Sequence, residues 1–212
     1  MQILLHTVVP HPMQGAVNKS DVWLRECVFE SGQLYHIVAP SGTGKTSLLH
    51  ILYGIRHDYS GIVTFNDESI QSYTHSKWCE LRTNSVSMVF QGLRLFPELD
   101  IMENITIKQK RTNHTPRMSI SSMLDALGMM PHIHKKAGVL SYGQQQRVAI
   151  VRALCQPFKI LLLDEPFSHL DTENAQAALD CIMQEVEQQQ ATCIITSLQS
   201  QPFQQHMHVY HL

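Results

Sequence analysis

The sequence has no pair of cysteines at the spacing of a zinc or redox motif, although five cysteines are scattered along its 212 residues. That pattern favours free thiols in a reducing compartment over a disulfide framework. The sequence also has no apolar run near the roughly 20 residues that a membrane-spanning helix needs. The first ten residues lack the positive segment of a signal peptide, so we expect none there. Any membrane function would therefore need another polypeptide.

An excess of positive charge is absent as well. Lys and Arg total 16 and Asp and Glu total 18, which gives a formal net charge of −2. This balance leaves no basic field that would hold nucleic acid, so we expect no nucleic-acid partner. Thirteen histidines are present, but pairs such as His132 and His134 lack carboxylate or cysteine partners at ligand spacing. The sequence therefore does not predict a metal centre built from histidines.

The sequence does contain a phosphate-binding loop between a strand and a helix. Leu34–Val38 is a short apolar run, and apolar residues at helical spacing predict a helix that starts near Lys45. Gly42 and Gly44 permit backbone angles that turn several N–H groups inward, and Lys45 would reach the β- and γ-phosphates of a nucleotide. The predicted nucleotide-binding loop comprises Ala39, Pro40, Ser41, Gly42, Thr43, Gly44, Lys45, Thr46 and Ser47.

The rest of the chain alternates strand and helix patterns. This order predicts an α/β fold, namely a P-loop NTPase core with a mostly parallel sheet, helices on both faces and antiparallel strands near the N-terminus. Strand patterns vanish after Gly92, so we predict a single domain of residues 1–212 with an inserted α-helical lobe at about 92–155. The core lobe would comprise residues 1–91 and 156–212.

Four local predictions accompany this fold. Val22–Phe29 is predicted to be a strand, and Ser141 is predicted to cap a helix. The glutamines at 144–146 are interpreted as solvated helix surface. An apolar strand is predicted to end in the acidic pair Asp164 and Glu165, at the edge of the sheet where active residues of α/β proteins lie.

The ordered motifs resemble those of ABC transporter ATPases. They are the phosphate loop, Gln91, LSYGQ at Leu140–Gln144, ILLLDEP at Ile160–Pro166 and SHLD at Ser168–Asp171. The segment VFQGLRLFPELDIMENI further resembles the corresponding sequence in the branch of lipoprotein-release, macrolide-export and cell-division (FtsE-like) cassettes. The resemblance implies an ATP-binding and ATP-hydrolysing subunit that dimerises on ATP and drives a separate transmembrane subunit.

The resemblance also implies the roles of single residues. Glu165 would take the proton of the attacking water, and Gln91 and Lys45 would be catalytic with it. ATP and Mg²⁺ would be the ligands. The implied Mg²⁺ ligands are Thr46, Gln91 and, through water, Asp164.

The resemblance implies a second cassette, because one chain carries one phosphate loop and one copy of the LSYGQ segment, which is called the signature. We expect the second cassette to be an identical copy. The signature, which would contact the nucleotide of the opposite subunit, comprises Ser141, Tyr142, Gly143 and Gln144. Asp171 and His169 would lie at the dimer seam. An integral membrane permease would be the other partner, which would place the chain in the cytoplasm, peripheral on the inner face of the cell membrane.

Several residues depart from the family pattern. Tyr142 replaces a glycine, His169 replaces a residue that is usually small, and Ser197 stands at the position of the switch histidine. Because the serine hydroxyl would need a bridging water to reach the γ-phosphate, we expect slow hydrolysis. Two alternatives therefore stay open: a slowly hydrolysing, ATP-gated regulatory or mechanotransmission module, and a soluble ABC ATPase that does not serve transport.

The aromatic residue that stacks on adenine in this family is missing from Gln14–Val17. Trp23 lies too close to the following strand, and His11 is a speculative substitute. Stacking on an aromatic ring is worth roughly 1–3 kcal/mol per base in nucleic-acid complexes. Nucleotide affinity should therefore depend mainly on the phosphates.

From this we predict that GTP competes with ATP within about tenfold, which corresponds to about 1.4 kcal/mol. A competition assay with a labelled ATP analogue measures the ratio. A much larger preference for ATP would show that some residue of this chain reads adenine.

Overall fold

The computed structural model describes residues 1–17, 19–112, 114, 116, 118–200 and 207–212. These residues form nine strands: β1 (Ile3–Pro10), β2 (Glu26–Phe29), β3 (Leu34–Val38), β4 (Tyr59–Phe65), β5 (Glu68–Ser69), β6 (Val86–Val89), β7 (Ile160–Asp164), β8 (Thr192–Ser197) and β9 (His208–His211). They also form six α-helices: α1 (Lys45–Leu52), α2 (His75–Asn84), α3 (Ile101–Thr112), α4 (Ile120–Ala126), α5 (Tyr142–Leu154) and α6 (Thr172–Gln189).

The strands form two sheets. Five parallel strands lie in the order β6-β7-β8-β3-β9, and four antiparallel strands lie in the order β2-β1-β4-β5. The predicted fold class, a P-loop core with antiparallel strands near the N-terminus, is therefore confirmed. Within the described residues, no helix is long and apolar enough to cross a bilayer.

The parallel sheet is covered on both faces, and this explains why every residue of β7 before Asp164 is apolar. Ile160 and Leu162 pack into one cluster with α1, α2 and the antiparallel sheet. Leu161 and Leu163 point the other way and pack into a second cluster with α5 and α6. Since side chains alternate along a strand, a strand that is buried on both faces needs a continuous apolar run.

Three helices, α3, α4 and α5, lie within residues 92–155. They share one continuous apolar cluster with β7, β8 and α6. The division of the chain into two lobes at residues 91 and 156 stays a prediction.

One local prediction about the fold was incomplete, and one strand was missed. The strand predicted at Val22–Phe29 begins only at Glu26, because the chain turns at Leu24, whose φ is +58°. Val22 and Trp23 are nevertheless buried. Strand β9 was not predicted, because its only apolar residues, Val209 and Tyr210, are adjacent and lie between two histidines.

The order of the parallel strands places the predicted site. The carboxyl ends of β7, β8 and β3 are neighbours, and β6 follows beyond β7. The acidic pair at the end of β7, Ser197 at the end of β8 and the loop after β3 therefore meet at one edge. Gln91 lies two residues beyond β6 and joins them there.

Candidate functional site

The loop between β3 and α1 has the backbone of a phosphate cradle. Gly42 has a φ of +82° and Gly44 a φ of +97°. In this region the backbone of a residue with a side chain is strained. At Gly44 space is also lacking, because a Cβ atom there would lie 2.7 Å from Sδ of Met13. Ala39, which replaces the first glycine of the motif, is not among the residues with positive φ. An alanine is therefore tolerated at that position.

Lys45, the first residue of α1, lies at the centre of the loop and is 5% exposed. Its Nζ donates to the carbonyl oxygens of Ala39 at 2.8 Å and Pro40 at 2.9 Å. The same Nζ lies 3.4 Å from Oε1 of Glu165. The Lys45 ammonium group and the Glu165 carboxylate are thus close enough to form an ion pair.

Buried oxygens surround the end of β7. Thr46 donates its hydroxyl to Oδ2 of Asp164 at 2.8 Å, and Thr196 donates to Oδ1 at 2.9 Å. Asp164 is 1% exposed, and Gln91 lines the adjoining cavity beside Thr46. A hydroxyl, a carboxylate and an amide oxygen are hard ligands, and Mg²⁺ typically takes one or two carboxylates together with substrate phosphates. The donor set therefore fits Mg²⁺.

Glu165 follows β7 in a strained backbone conformation with a φ of +49°. Its N–H lies 3.2 Å from both the carbonyl oxygen and Oγ1 of Thr196, and its carbonyl oxygen accepts from Nε2 of Gln146 at 3.0 Å. Such strain costs about 1–3 kcal/mol and persists only where the surroundings hold it. Here neighbours on β8 and α5 hold the residue, and its carboxylate is turned toward Lys45.

Gln146 was interpreted as solvated surface, and that was wrong: it is 2% exposed. Besides the Glu165 carbonyl, its amide contacts Oγ of Ser168 and accepts from N–H of His169 at 3.3 Å. It therefore ties α5 to the turn that carries Glu165 and to the segment at 168–169. The helical period could have found it, because Gln146 lies four residues before the apolar Ile150.

A cavity of about 350 Å³ opens over the phosphate loop. Gln91, Glu165 and Arg56 line it, together with Pro12 and Met13 from the N-terminal segment. His11 is not among the lining residues. The Met13 thioether can pack against a purine but offers only a weak hydrogen-bond acceptor to read its edge.

Trp23 supports the phosphate loop from beneath. It is 2% exposed and donates Nε1–H to the carbonyl oxygen of Thr43 at 3.1 Å. Thr43 in turn donates its hydroxyl to the Pro40 carbonyl at 2.8 Å. A buried indole usually needs such a partner, and here the partner is the loop backbone.

Ser141 caps α5 as predicted. Its Oγ accepts from N–H of Gln144 at 3.3 Å, and Oε1 of Gln144 accepts from N–H of Ser141 at 3.0 Å, which completes a capping box. Gly143 leaves room for a close approach, because a Cβ there would lie 2.7 Å from the His169 carbonyl oxygen. None of the four signature residues lines the cavity over the phosphate loop of the same chain.

Two departures from the family pattern contact each other. The rings of Tyr142 and His169 lie 4.3 Å apart between centroids, at an angle of 58°. The Tyr142 hydroxyl also donates to the carbonyl oxygen of Gln91 at 2.6 Å. The bulk that replaces the family glycine therefore ties the start of α5 to the Gln91 backbone.

Asp171 caps α6. Its carboxylate accepts from N–H of Asn174 at 2.8 Å and from the Asn174 amide at 2.8 and 2.9 Å. The backbone hydrogen bond is the largest cause that lowers the pKa of Asp171, and the side chain of Asn174 lowers it further. The carboxylate therefore holds the start of α6 while lying at the exposed surface.

Ser197, at the end of β8, has a buried partner that the sequence analysis missed. Its Oγ lies 2.7 Å from Nε2 of His36 in β3, and His36 is fully buried. The Ser197 hydroxyl also donates to the carbonyl oxygen of Gln199, and its own carbonyl accepts from N–H of Ala39 at 3.2 Å. One histidine inside the apolar run LYHIV was the available signal, because a buried polar side chain requires a partner.

Comparisons with known proteins agree with this geometry. The sequence profile of the family described as ABC transporter matches residues 26–168. The chain is 30% identical over 198 residues to the lipoprotein-releasing system ATP-binding protein LolD 2 of Rhodopseudomonas palustris, covering 92% of this chain and 85% of that protein. It is 35% identical over 179 residues to the glutamate/aspartate import ATP-binding protein GltL of Escherichia coli, covering 82% and 73%. The dimeric bacterial ABC transporter cassette MJ0796 superposes with a TM-score of 0.76 at 25% identity, covering 93% and 88%.

The contacts of Gln146 generate a prediction. Replacing Gln146 by leucine leaves the His169 N–H without its acceptor and leaves the Glu165 carbonyl with only the Ser168 N–H at 3.3 Å, so the free energy of unfolding should fall by about 1–3 kcal/mol. Urea unfolding measures it. The control is Gln176→Leu on α6, where an exposed amide that contacts Asp180 is lost, with an expected change within about 0.5 kcal/mol. Equal stabilities of the two variants would contradict the role given to Gln146.

Proposed function

The chain belongs to the ABC transporter family, and from this premise we propose that it is the ATP-binding and ATP-hydrolysing subunit of a membrane transporter. Its relatives are named as ATP-binding proteins of both lipoprotein release and amino-acid import. A structure of the same neighbouring cassette is described as a post-hydrolysis state bound to ADP and Pi. Hydrolysis of ATP is therefore the activity of the family, and a regulatory module or a non-transport ATPase is not favoured.

The observation that carries the proposal is the meeting of Lys45 and Glu165 at 3.4 Å at the edge of the parallel sheet. In the proposed site, Lys45 and the inward N–H groups of the loop bind the β- and γ-phosphates. Gln91 and Thr46, with Asp164 through water, would hold Mg²⁺, which would supply positive charge beside the phosphates.

Glu165 acts as the general base in this proposal. It accepts a proton from the water whose oxygen attacks the γ-phosphorus, and the bond to the bridging β–γ oxygen breaks to leave ADP and phosphate. The hydrogen bonds from Gln146 and to Thr196 keep its turn in place during this step. Lys45 binds the phosphate oxygens on which negative charge develops.

The signature is proposed to act on the nucleotide of a second subunit. Ser141 and Gly143 lie at the start of α5, where N–H groups and the helix dipole favour an anion. They do not line the cavity of their own chain, whereas they would complete a cavity presented by a second cassette. Asp171 and His169 are proposed to lie at that seam, and the second cassette is proposed to be an identical copy.

A membrane subunit is proposed to dock on the loop after Gln91. The apolar residues Leu93, Leu95, Phe96 and Pro97 predict exposed side chains on this loop, and for Leu93 the prediction is wrong, because it is 3% exposed. Phe96 is 52% exposed and Val139 73%. The two lie on adjoining segments, since N–H of Gly138 donates to the Pro97 carbonyl at 3.0 Å. Exposed apolar side chains on neighbouring loops are typical of an interface, and this one would place the chain at the inner membrane face.

The base role of Glu165 predicts the behaviour of Glu165→Gln. The glutamine cannot take a proton, while Lys45 and the loop still bind phosphates, so ATP should stay bound and a closed dimer should accumulate. Size-exclusion chromatography with light scattering in ATP and Mg²⁺ measures the dimer. A nucleotide-bound monomer would contradict the signature acting on a second subunit.

The exposure of Phe96 predicts a separate result for Phe96→Asp. A carboxylate in an apolar interface would be desolvated without a partner, so the variant should be lost from membranes that contain the natural permease while nucleotide binding is unchanged. The control is Ile62→Asp, which places the same charge on a side chain that is 50% exposed in β4 of the antiparallel sheet. Equal membrane recovery of both variants would show that the docking surface lies elsewhere.

A further inference from the structure

The contact between Ser197 and His36 joins two strands at the edge of the site. His36 lies in β3, the strand that leads into the phosphate loop, and Ser197 ends the neighbouring β8. In the parallel register Val38 pairs with Ser197, so His36 lies two residues before the position beside the serine. A side chain as long as histidine spans that offset, and Nε2 reaches Oγ at 2.7 Å.

The direction of this hydrogen bond follows from counting hydrogens. The Ser197 hydroxyl has one hydrogen, which it donates to the Gln199 carbonyl. With the hydrogen assigned in this way, the Ser197 oxygen accepts from His36 in the tautomer that carries a proton on Nε2. A hydroxyl that accepts such a bond becomes a better donor, because hydrogen bonds in series polarise one another.

The position of Ser197 suits a donor to phosphate. Its backbone contacts Ala39, where the phosphate loop begins, and its neighbour Thr196 holds the backbone of Glu165. Ser197 and Glu165 line one cavity of about 210 Å³, and Glu165 also lines the cavity over the phosphate loop. Glu165 therefore borders both the cavity that Ser197 lines and the cavity over the phosphate loop.

We propose that Ser197 and His36 together replace the missing switch histidine: His36 positions and polarises the Ser197 hydroxyl, which donates to the γ-phosphate directly or through one water. On nucleotide binding the hydroxyl hydrogen turns from the Gln199 carbonyl to phosphate, while Nε2 of His36 keeps the oxygen in place. His36 is a positioning residue, since it acts through Ser197. The inference rests on the proposed ATPase function and reverses the expectation that Ser197 makes hydrolysis slow.

The test is single-turnover hydrolysis by the full chain, with the dissociation constant of ATP–Mg²⁺ and the Tm measured for each variant. Losing one preorganised donor typically lowers the rate by about 10²–10³. We expect Ser197→Ala and His36→Leu each to lose about 10² in rate with ATP affinity within about threefold, and the double variant to lose no more than either. His36→Gln, which keeps an N–H donor on a side chain of similar reach, should retain most of the activity.

Two further variants separate this role from a structural one. Ser87→Ala removes another buried hydroxyl, which in β6 donates to the Ala153 carbonyl at 2.7 Å, and it should affect Tm alone. Ser197→His in the His36→Leu background should restore the rate, because a histidine at 197 no longer needs His36.

Two results would overturn the inference. One is a Ser197→Ala variant as fast as the wild type, which is informative even where His36→Leu does not fold. The other is single losses that multiply in the double variant, which would make the two residues independent. In either case a hydrolysing wild type leaves the ATPase proposal intact, whereas a wild type that binds ATP and never hydrolyses it would contradict that proposal itself.

Discussion

The parallel register of β7, β8 and β3 is the constraint on which the site depends. It pairs Asp164 with Thr196 and Val38 with Ser197, so three strand ends that lie far apart in the sequence come to one edge. Backbone hydrogen bonds between the strands hold this register, and it places Asp164, which is 1% exposed, beside the Thr196 hydroxyl that donates to it at 2.9 Å.

The strained backbone of Glu165 is stabilised by hydrogen bonds to two neighbouring elements. A positive φ at a glutamate is unfavourable in isolation, and two neighbours fix it from opposite sides: Thr196 through the N–H and Gln146 through the carbonyl. Gln146 also holds the N–H of His169. Hydrogen bonds therefore join α5, the acidic turn and the segment before α6 to one another.

The departures from the family pattern occur with compensating contacts. Tyr142 packs on His169 and bonds to the Gln91 backbone, and Ser197 contacts the buried His36. In each case a side chain that the family pattern does not predict has a partner that the pattern does not predict either. A motif comparison alone would treat both positions as lost functional groups, whereas in the structure the side chains of Tyr142 and Ser197 both form hydrogen bonds.

The sequence by itself determined the fold class, the phosphate loop and the start of α5, because local rules suffice for them: glycines for positive φ, a serine cap, and apolar runs for strands buried on both faces. The tertiary structure alone decided that Gln146 and Leu93 are buried, that His36 reaches Ser197 and that the Val22–Phe29 segment turns before it becomes a strand. The physical reason is that burial and hydrogen-bond partners are set by elements distant in the chain. A glutamine or histidine has the same local pattern whether water or a strand end lies opposite it.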